Sequence, residues 1–208
     1  MGRMTASIEL ACEGLRCQIA PALGGCIAGL WLGDVPVLRS TPAAQLATAR
    51  QAGSYPLVPF SNRMGHATLQ WQGTSHPLVR NNGDEPHAIH GVGWQRPWTL
   101  LDADDRLALL SYEHRPDAAW PFAFDASQTF RIAPGSLELT LSVTNQAERP
   151  APLGMGWHPY FVKRPGSHLR FEATGRWEMG ADKLPTHRSA SAGLDASAGP
   201  MPRGSQRQ

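Results

Sequence analysis

The sequence predicts an all-β domain, a sandwich or a barrel. Short apolar or alternating runs recur along its 208 residues, separated by turn residues, and none sustains a helical period for long. The 21 glycines and 18 prolines weigh further against long helices. Many strands at short spacing are the signature of a closed or doubled antiparallel architecture.

The elements follow in order. Residues 8–12 and 15–20 alternate apolar with polar side chains, as half-buried strands do, and residues 26–32 form a continuous apolar run. Residues 43–51 make the one stretch that suits a short helix. Further strands are expected at 68–72, 98–102, 107–113, 127–132 and 137–145. The intervening Gly33-Asp34, Gly73-Thr74, Asp104-Asp105 and Pro134-Gly135 provide the backbone conformations that hairpins need.

Composition narrows the function. With 41% hydrophobic and 17% charged residues the chain can build a core, and a net charge of +2 without clustered Lys or Arg gives no nucleic-acid stripe. The first residues lack the apolar core of a signal peptide and no run approaches membrane-spanning length, so a cytoplasmic protein without a membrane or nucleic-acid partner is expected. Cys12, Cys17 and Cys26 are odd in number and lack metal-ligand spacing. A hairpin turn at Gly14-Leu15 would bring Cys12 and Cys17 opposite each other, but packed free thiols are the expectation for a reducing compartment.

Three segments stand apart from this strand pattern: Tyr55-Pro56-Leu57-Val58-Pro59-Phe60-Ser61-Asn62-Arg63, His90-Gly91, and Trp157-His158-Pro159-Tyr160-Phe161. Prolines forbid regular ladder pairing there, which places polar and aromatic side chains on rigid loops. Taken alone, Arg63 and Asn62 suit a turn at the surface, His90 a glycine-rich loop, and His158 the end of a strand. Arg63 also offers a planar fork of donors for hydroxyl oxygens, and Asn62 both a donor and an acceptor. His87 and His90 are three residues apart, but no partner motif completes a zinc set, so no metal is expected. There is no phosphate loop and no nucleophile elbow.

In their order along the chain, the Asn-Arg, His-Gly and His-Pro-Tyr-Phe segments resemble those of the aldose 1-epimerase (galactose mutarotase) family. The resemblance runs from near the amino terminus to Thr186. It implies a large antiparallel β-sandwich, no cofactor, and a small-molecule sugar, galactose or glucose, as partner. Interconverting anomers requires a proton to leave the C1 hydroxyl while another reaches the ring oxygen, so one acid and one base are needed. Resemblance assigns the acid to His158, a residue type that exchanges protons near neutrality. It places His90 near C1 and the ring oxygen, and Asn62 and Arg63 on substrate hydroxyls. Trp157 and Tyr160, flanking His158, are expected to line the pocket, whereas Trp94 and Trp98 read as core.

The family's base is a glutamate near the carboxyl terminus, preceded by a substrate-binding aspartate. Neither has a counterpart here, and neither Glu178 nor Asp195 is given the role. Residues 1–186 are expected to form the sandwich domain, incomplete at its C-terminal end. Residues 187–208, without an aromatic side chain and with little to bury, read as a disordered tail of a truncated or frame-shifted chain. Three functions stay open: an epimerase of hexose metabolism impaired by the loss of its base, a non-catalytic carbohydrate-binding module, and a nonfunctional fragment.

Overall fold

The computed structural model describes residues 7–195 and contains two compact units that divide between Val162 and Lys163. In the first unit, β1 (Ile8–Cys12), β2 (Leu15–Ala20), β3 (Cys26–Leu32) and β4 (Val35–Pro36) form an antiparallel meander. Inward side chains alternate as the sequence predicts: Leu10, Cys17 and Ile19 are fully buried, while Glu9 and Ala11 face out. Register sets Cys17 opposite Leu10 and Cys12 opposite Leu15, so the two thiols are not a cross-strand pair. All three cysteines are free and buried.

Short pieces connect this sheet to the next. They are β5 (Pro56–Leu57), β6 (Arg63–Met64), β7 (Thr68–Trp71), β8 (Thr74–Pro77) and β9 (Ala88–Ile89). The expected helix at 43–51 is instead two 3₁₀ turns, Ala43–Gln45 and Ala49–Gln51, separated by an extended Leu46. The second four-stranded meander comprises β10 (Thr99–Ala103), β11 (Leu107–His114), β12 (Phe124–Ala133) and β13 (Ser136–Asn145). β12 and β13 are in register from Ala133↔Ser136 at the hairpin end to Phe124↔Asn145, while the register of β10 on β11 shifts between Leu100 and Asp102.

The two meanders share one core. Leu10, Ile19 and Ile27 from the first pack in a single cluster with Leu110, Phe130 and Ile132 from the second, and the Ala11 N–H donates to the Asp105 carbonyl at 2.9 Å. Apolar burial of this size is the main stabilising term in such a fold. Trp98 and Trp120 belong to the same cluster, as the sequence reading expects for Trp98. β14 (Gly156–Trp157) closes the unit by pairing with β5.

The second unit holds β15 (Arg170–Glu172), β16 (Arg176–Met179), β17 (Pro185–Ser189) and β18 (Gly193–Asp195). β16 pairs with β17 and β15 with β18. This corrects the expected tail: the chain remains paired through Asp195, and the rest of the proposed tail lies outside the described residues. The expectation failed because it counted only apolar burial. Here backbone pairing and polar contacts order the strand, with the Leu184 N–H donating to Asp182 Oδ1 at 3.1 Å in the turn.

Candidate active site

The three unusual segments converge in the first unit through backbone contacts. Beyond β5 and β14, the same antiparallel run continues, with the His158 N–H donating to the Tyr55 carbonyl at 3.0 Å and the Tyr160 N–H to the Gly53 carbonyl at 2.8 Å. β6 pairs with β9, which sets the Asn62 carbonyl to accept the His90 N–H at 2.9 Å. At this junction Asn62 and His90 both take left-handed backbone, at φ 59° and 61°. Such conformations are uncommon away from glycine and are held by their surroundings.

Gly91 explains the tight turn after His90. It has φ 68°, and a Cβ there would overlap the carbonyl group of Val58. That carbonyl oxygen accepts from the Val92 and Gly93 N–H groups at 2.9 and 3.0 Å. Asn81 fastens the loop from its other side, its amide donating to the Ile89 and Gly91 carbonyls while its oxygen accepts the Ile89 N–H at 2.7 Å.

On this frame, His158 stacks against Tyr55 at 4.9 Å and Tyr160 at 4.7 Å, and meets the edge of His90 at 5.2 Å. The hydroxyls of Tyr55 and Tyr160 are 3.3 Å apart. Trp94 stacks on Tyr55 at 5.6 Å, with the Arg50 guanidinium 4.8 Å from its ring centroid, and Arg39 lies 3.8 Å from that of Tyr160. The structure brings together the two imidazoles singled out in the sequence and surrounds them with Tyr55, Trp94, Arg39 and Arg50, to which the sequence reading gave no site role.

Trp157 is a correction. It is half-buried against the main core and makes its ring contact with Phe130 at 6.1 Å, not with the imidazoles. Adjacent residues of an extended chain project to opposite faces, so His158 can reach the site only if its neighbour turns inward. Arg63 is also less free than its fork of donors suggests. Its Nε and Nη2 donate to Glu85 at 3.2 and 3.5 Å, in a pair with side chains 8% and 16% exposed, and its Nη1 donates to Asn62 Oδ1 at 3.4 Å. Buried His87 accepts the His66 N–H and belongs to the framework.

Electrostatics set the protonation states. Burial, then His158 and the guanidiniums of Arg50 and Arg63, lowers the pKa of His90 from 6.5 to about 4. Burial, aided by Arg39 and Arg50, lowers that of His158, and burial raises that of Tyr55. Near neutral pH both imidazoles are therefore neutral. His90 Nδ1 accepts the Asn62 N–H at 3.1 Å, which assigns its proton to Nε2. His158 Nδ1 is buried without a well-formed hydrogen bond, and an interaction of the ring with its own backbone partly offsets the effect of burial on its pKa. The proton of neutral His90 is therefore on Nε2, and among the described residues no carboxylate hydrogen-bonds either ring.

Comparison with known proteins fits this arrangement. The sequence profile of the aldose 1-epimerase family matches residues 7–195. The chain belongs to the aldose 1-epimerase family. Its match extends past Thr186, where the recognisable resemblance stops, and includes the strands of the second unit. The Escherichia coli K12 protein YphB is 38% identical over 154 residues, which is 74% of this chain and 51% of YphB. A crystal structure of a candidate aldose 1-epimerase from the same organism superposes with a TM-score of 0.80 at 32% identity, covering 89% of this chain and 62% of that one. A galactose mutarotase-like protein of Clostridium acetobutylicum shares the fold, with a TM-score of 0.74 at 22% identity over 88% of this chain and 61% of its own. The chain thus spans about half the length of its curated relative YphB. These likenesses identify the observed fold as the galactose mutarotase-like β-sandwich.

Proposed function

We propose that this site opens and recloses the ring of a free aldohexose, glucose or galactose, and so exchanges its α and β anomers. The observation that carries the reading is the contact of the His90 and His158 imidazoles within an aromatic shell, in a chain of the aldose 1-epimerase family. His158 in its imidazolium form, the minor one near neutral pH because burial lowers its pKa, is the acid that delivers a proton to the ring oxygen and is left as neutral imidazole. His90 donates a hydrogen bond to oxygen near C1, and Asn62 with Arg63 orients the sugar hydroxyls. Tyr160 forms the aromatic wall beside the acid.

Ring opening also requires an acceptor for the C1 hydroxyl proton, and among the described residues no carboxylate hydrogen-bonds either imidazole. A positioned general base contributes about 10² to 10⁴ in rate, so turnover by the described residues alone falls short by that order. The same observation favours a second reading, sugar binding without turnover.

Anomer-exchange NMR on glucose and galactose tests both, with the intact chain, its His158→Ala variant and a buffer blank. Exchange above the blank and absent from the variant supports ring opening. Exchange equal to the blank, together with a sugar-dependent change in tryptophan fluorescence, supports binding alone. Catalysis that survives in His158→Ala rejects His158 as the acid.

A further inference from the structure

β13 is the outer strand of the second meander, and among the described residues no strand pairs with its other side. Its backbone groups divide by parity. The Gln146 N–H donates to the Ala123 carbonyl at 3.0 Å and continues the ladder with β12, so the even-numbered residues of β13 address β12. Leu137, Leu139, Leu141 and Val143 therefore turn both N–H and C=O to the open edge, while their side chains lie against the core. These four are only half-buried, whereas the inward Phe124, Ala126, Phe130 and Ile132 of neighbouring β12 are buried. Among the described residues the apolar face ends at β13 uncovered.

Proteins guard such an edge with charge, proline, a bulge or shortness. The other edges of the two meanders are guarded. β10 has five residues, carries Asp102 and shifts register between Leu100 and Asp102; β4 has two residues; and β1 gives the Ala11 N–H to Asp105. β13 has ten residues in unbroken register with β12, without proline, lysine or arginine, and with Glu138 as its one charge. Its sequence is also complementary to itself. In antiparallel pairing about a two-fold axis at Thr140, Leu139 meets Leu141 and Leu137 meets Val143, the same residues whose backbone groups are open. On the outer face Thr140 meets Thr140, Glu138 meets Ser142 and Ser136 meets Thr144, so no like charges are opposed.

We propose that a second copy of this chain pairs with β13 in this register, joining the second meanders of the two copies into one continuous sheet about a two-fold axis. Each copy gains ladder hydrogen bonds at residues that otherwise present them to water, and the two half-buried apolar rows extend one another. Pairing uses each β13 once and the other edges are guarded, so assembly closes at the dimer instead of growing into a fibre.

Sedimentation velocity over a range of concentrations reads the assembly of the 208-residue chain, and substitutions on the exposed face of β13 locate the contact. A monomer–dimer equilibrium is expected. Ser142→Glu sets a second carboxylate against Glu138 at both ends of the axis and should raise the dissociation constant about threefold or more. Ser142→Lys should lower it by a similar factor, and both effects should fade as salt is raised. Thr140→Cys places two thiols across the axis with Cα atoms about 4.5 Å apart, and should give a disulfide-linked dimer with oxidised glutathione. Thr144→Cys, roughly 27 Å from its counterpart, should not. The native cysteines are buried and stay out of this chemistry. Circular dichroism checks that each variant keeps the wild-type fold. A monomer at every concentration, a dissociation constant indifferent to either charge at Ser142, cross-linking of Thr144→Cys as readily as Thr140→Cys, or open-ended aggregates would overturn the inference.

Discussion

Replacing His90 with asparagine isolates the proton that this site excludes. Asparagine tolerates the left-handed backbone at φ 61°, and its side-chain oxygen can take the Asn62 N–H that His90 Nδ1 accepts. It cannot titrate. Because burial and neighbouring charge lower the His90 pKa from 6.5 to about 4, the unfolded chain binds this proton at a higher pH than the native state does. Native stability therefore has its full value above about pH 6.5 and falls as the pH drops toward 4. Linkage for such a shift gives a loss of roughly 2 kcal/mol by pH 5. His90 is partly hydrated, and solvent screening reduces this to about 1 kcal/mol. Urea denaturation at a series of pH values between 7 and 4 measures it directly. The wild type should lose stability faster than His90→Asn across this window, by about 1 kcal/mol at pH 5. His158 titrates in both proteins, so some slope remains in the variant and the difference between the curves belongs to His90. Equal slopes, or a wild type that gains on the variant during acidification, would refute the argument that His90 is held neutral.

Two further substitutions probe the frame. Gly91→Ala combines a left-handed backbone with overlap of the Val58 carbonyl and should cost about 2–4 kcal/mol, read as a lower denaturation midpoint; an unchanged midpoint would mean that the His90 loop is not fixed by this contact. Gln128 is fully buried in β12 with neither its amide nitrogen nor its oxygen hydrogen-bonded. Gln128→Met keeps a similar volume, removes both polar atoms and should stabilise the chain by about 1–2 kcal/mol, whereas a lower melting temperature would show that the amide has a partner after all.

The parts legible in the sequence are those whose physics is local. β12 and the hairpin to β13 follow from alternation and from Pro134-Gly135, because side chains two apart share a face and the turn needs a glycine at positive φ. β5, β6, β9 and β14 are two residues each, too short for any period to register. Their pairing is instead a property of distant partners, as in the Tyr55–Tyr160 hydroxyl contact across 105 residues. His90, His158, Asn62 and Arg63 were singled out because they sit in recognisable segments. Arg39, Arg50 and Glu85 are isolated charges in loops, and only the folded chain reveals that one cation is neutralised and two are not.

The misplacement of Trp157 shows why proximity in sequence misleads at such a site. On an extended chain, neighbouring side chains point apart, so a ring adjacent to a functional imidazole is usually on the other face. Here that opposition is useful. Trp157 anchors the strand end in the core through Phe130, while the backbone N–H of His158 is tied to Tyr55, whose ring also supports the imidazole. The imidazole is therefore fixed through its backbone and its face rather than by a hydrogen bond to another side chain, and the packing around it carries the cost of burying Nδ1.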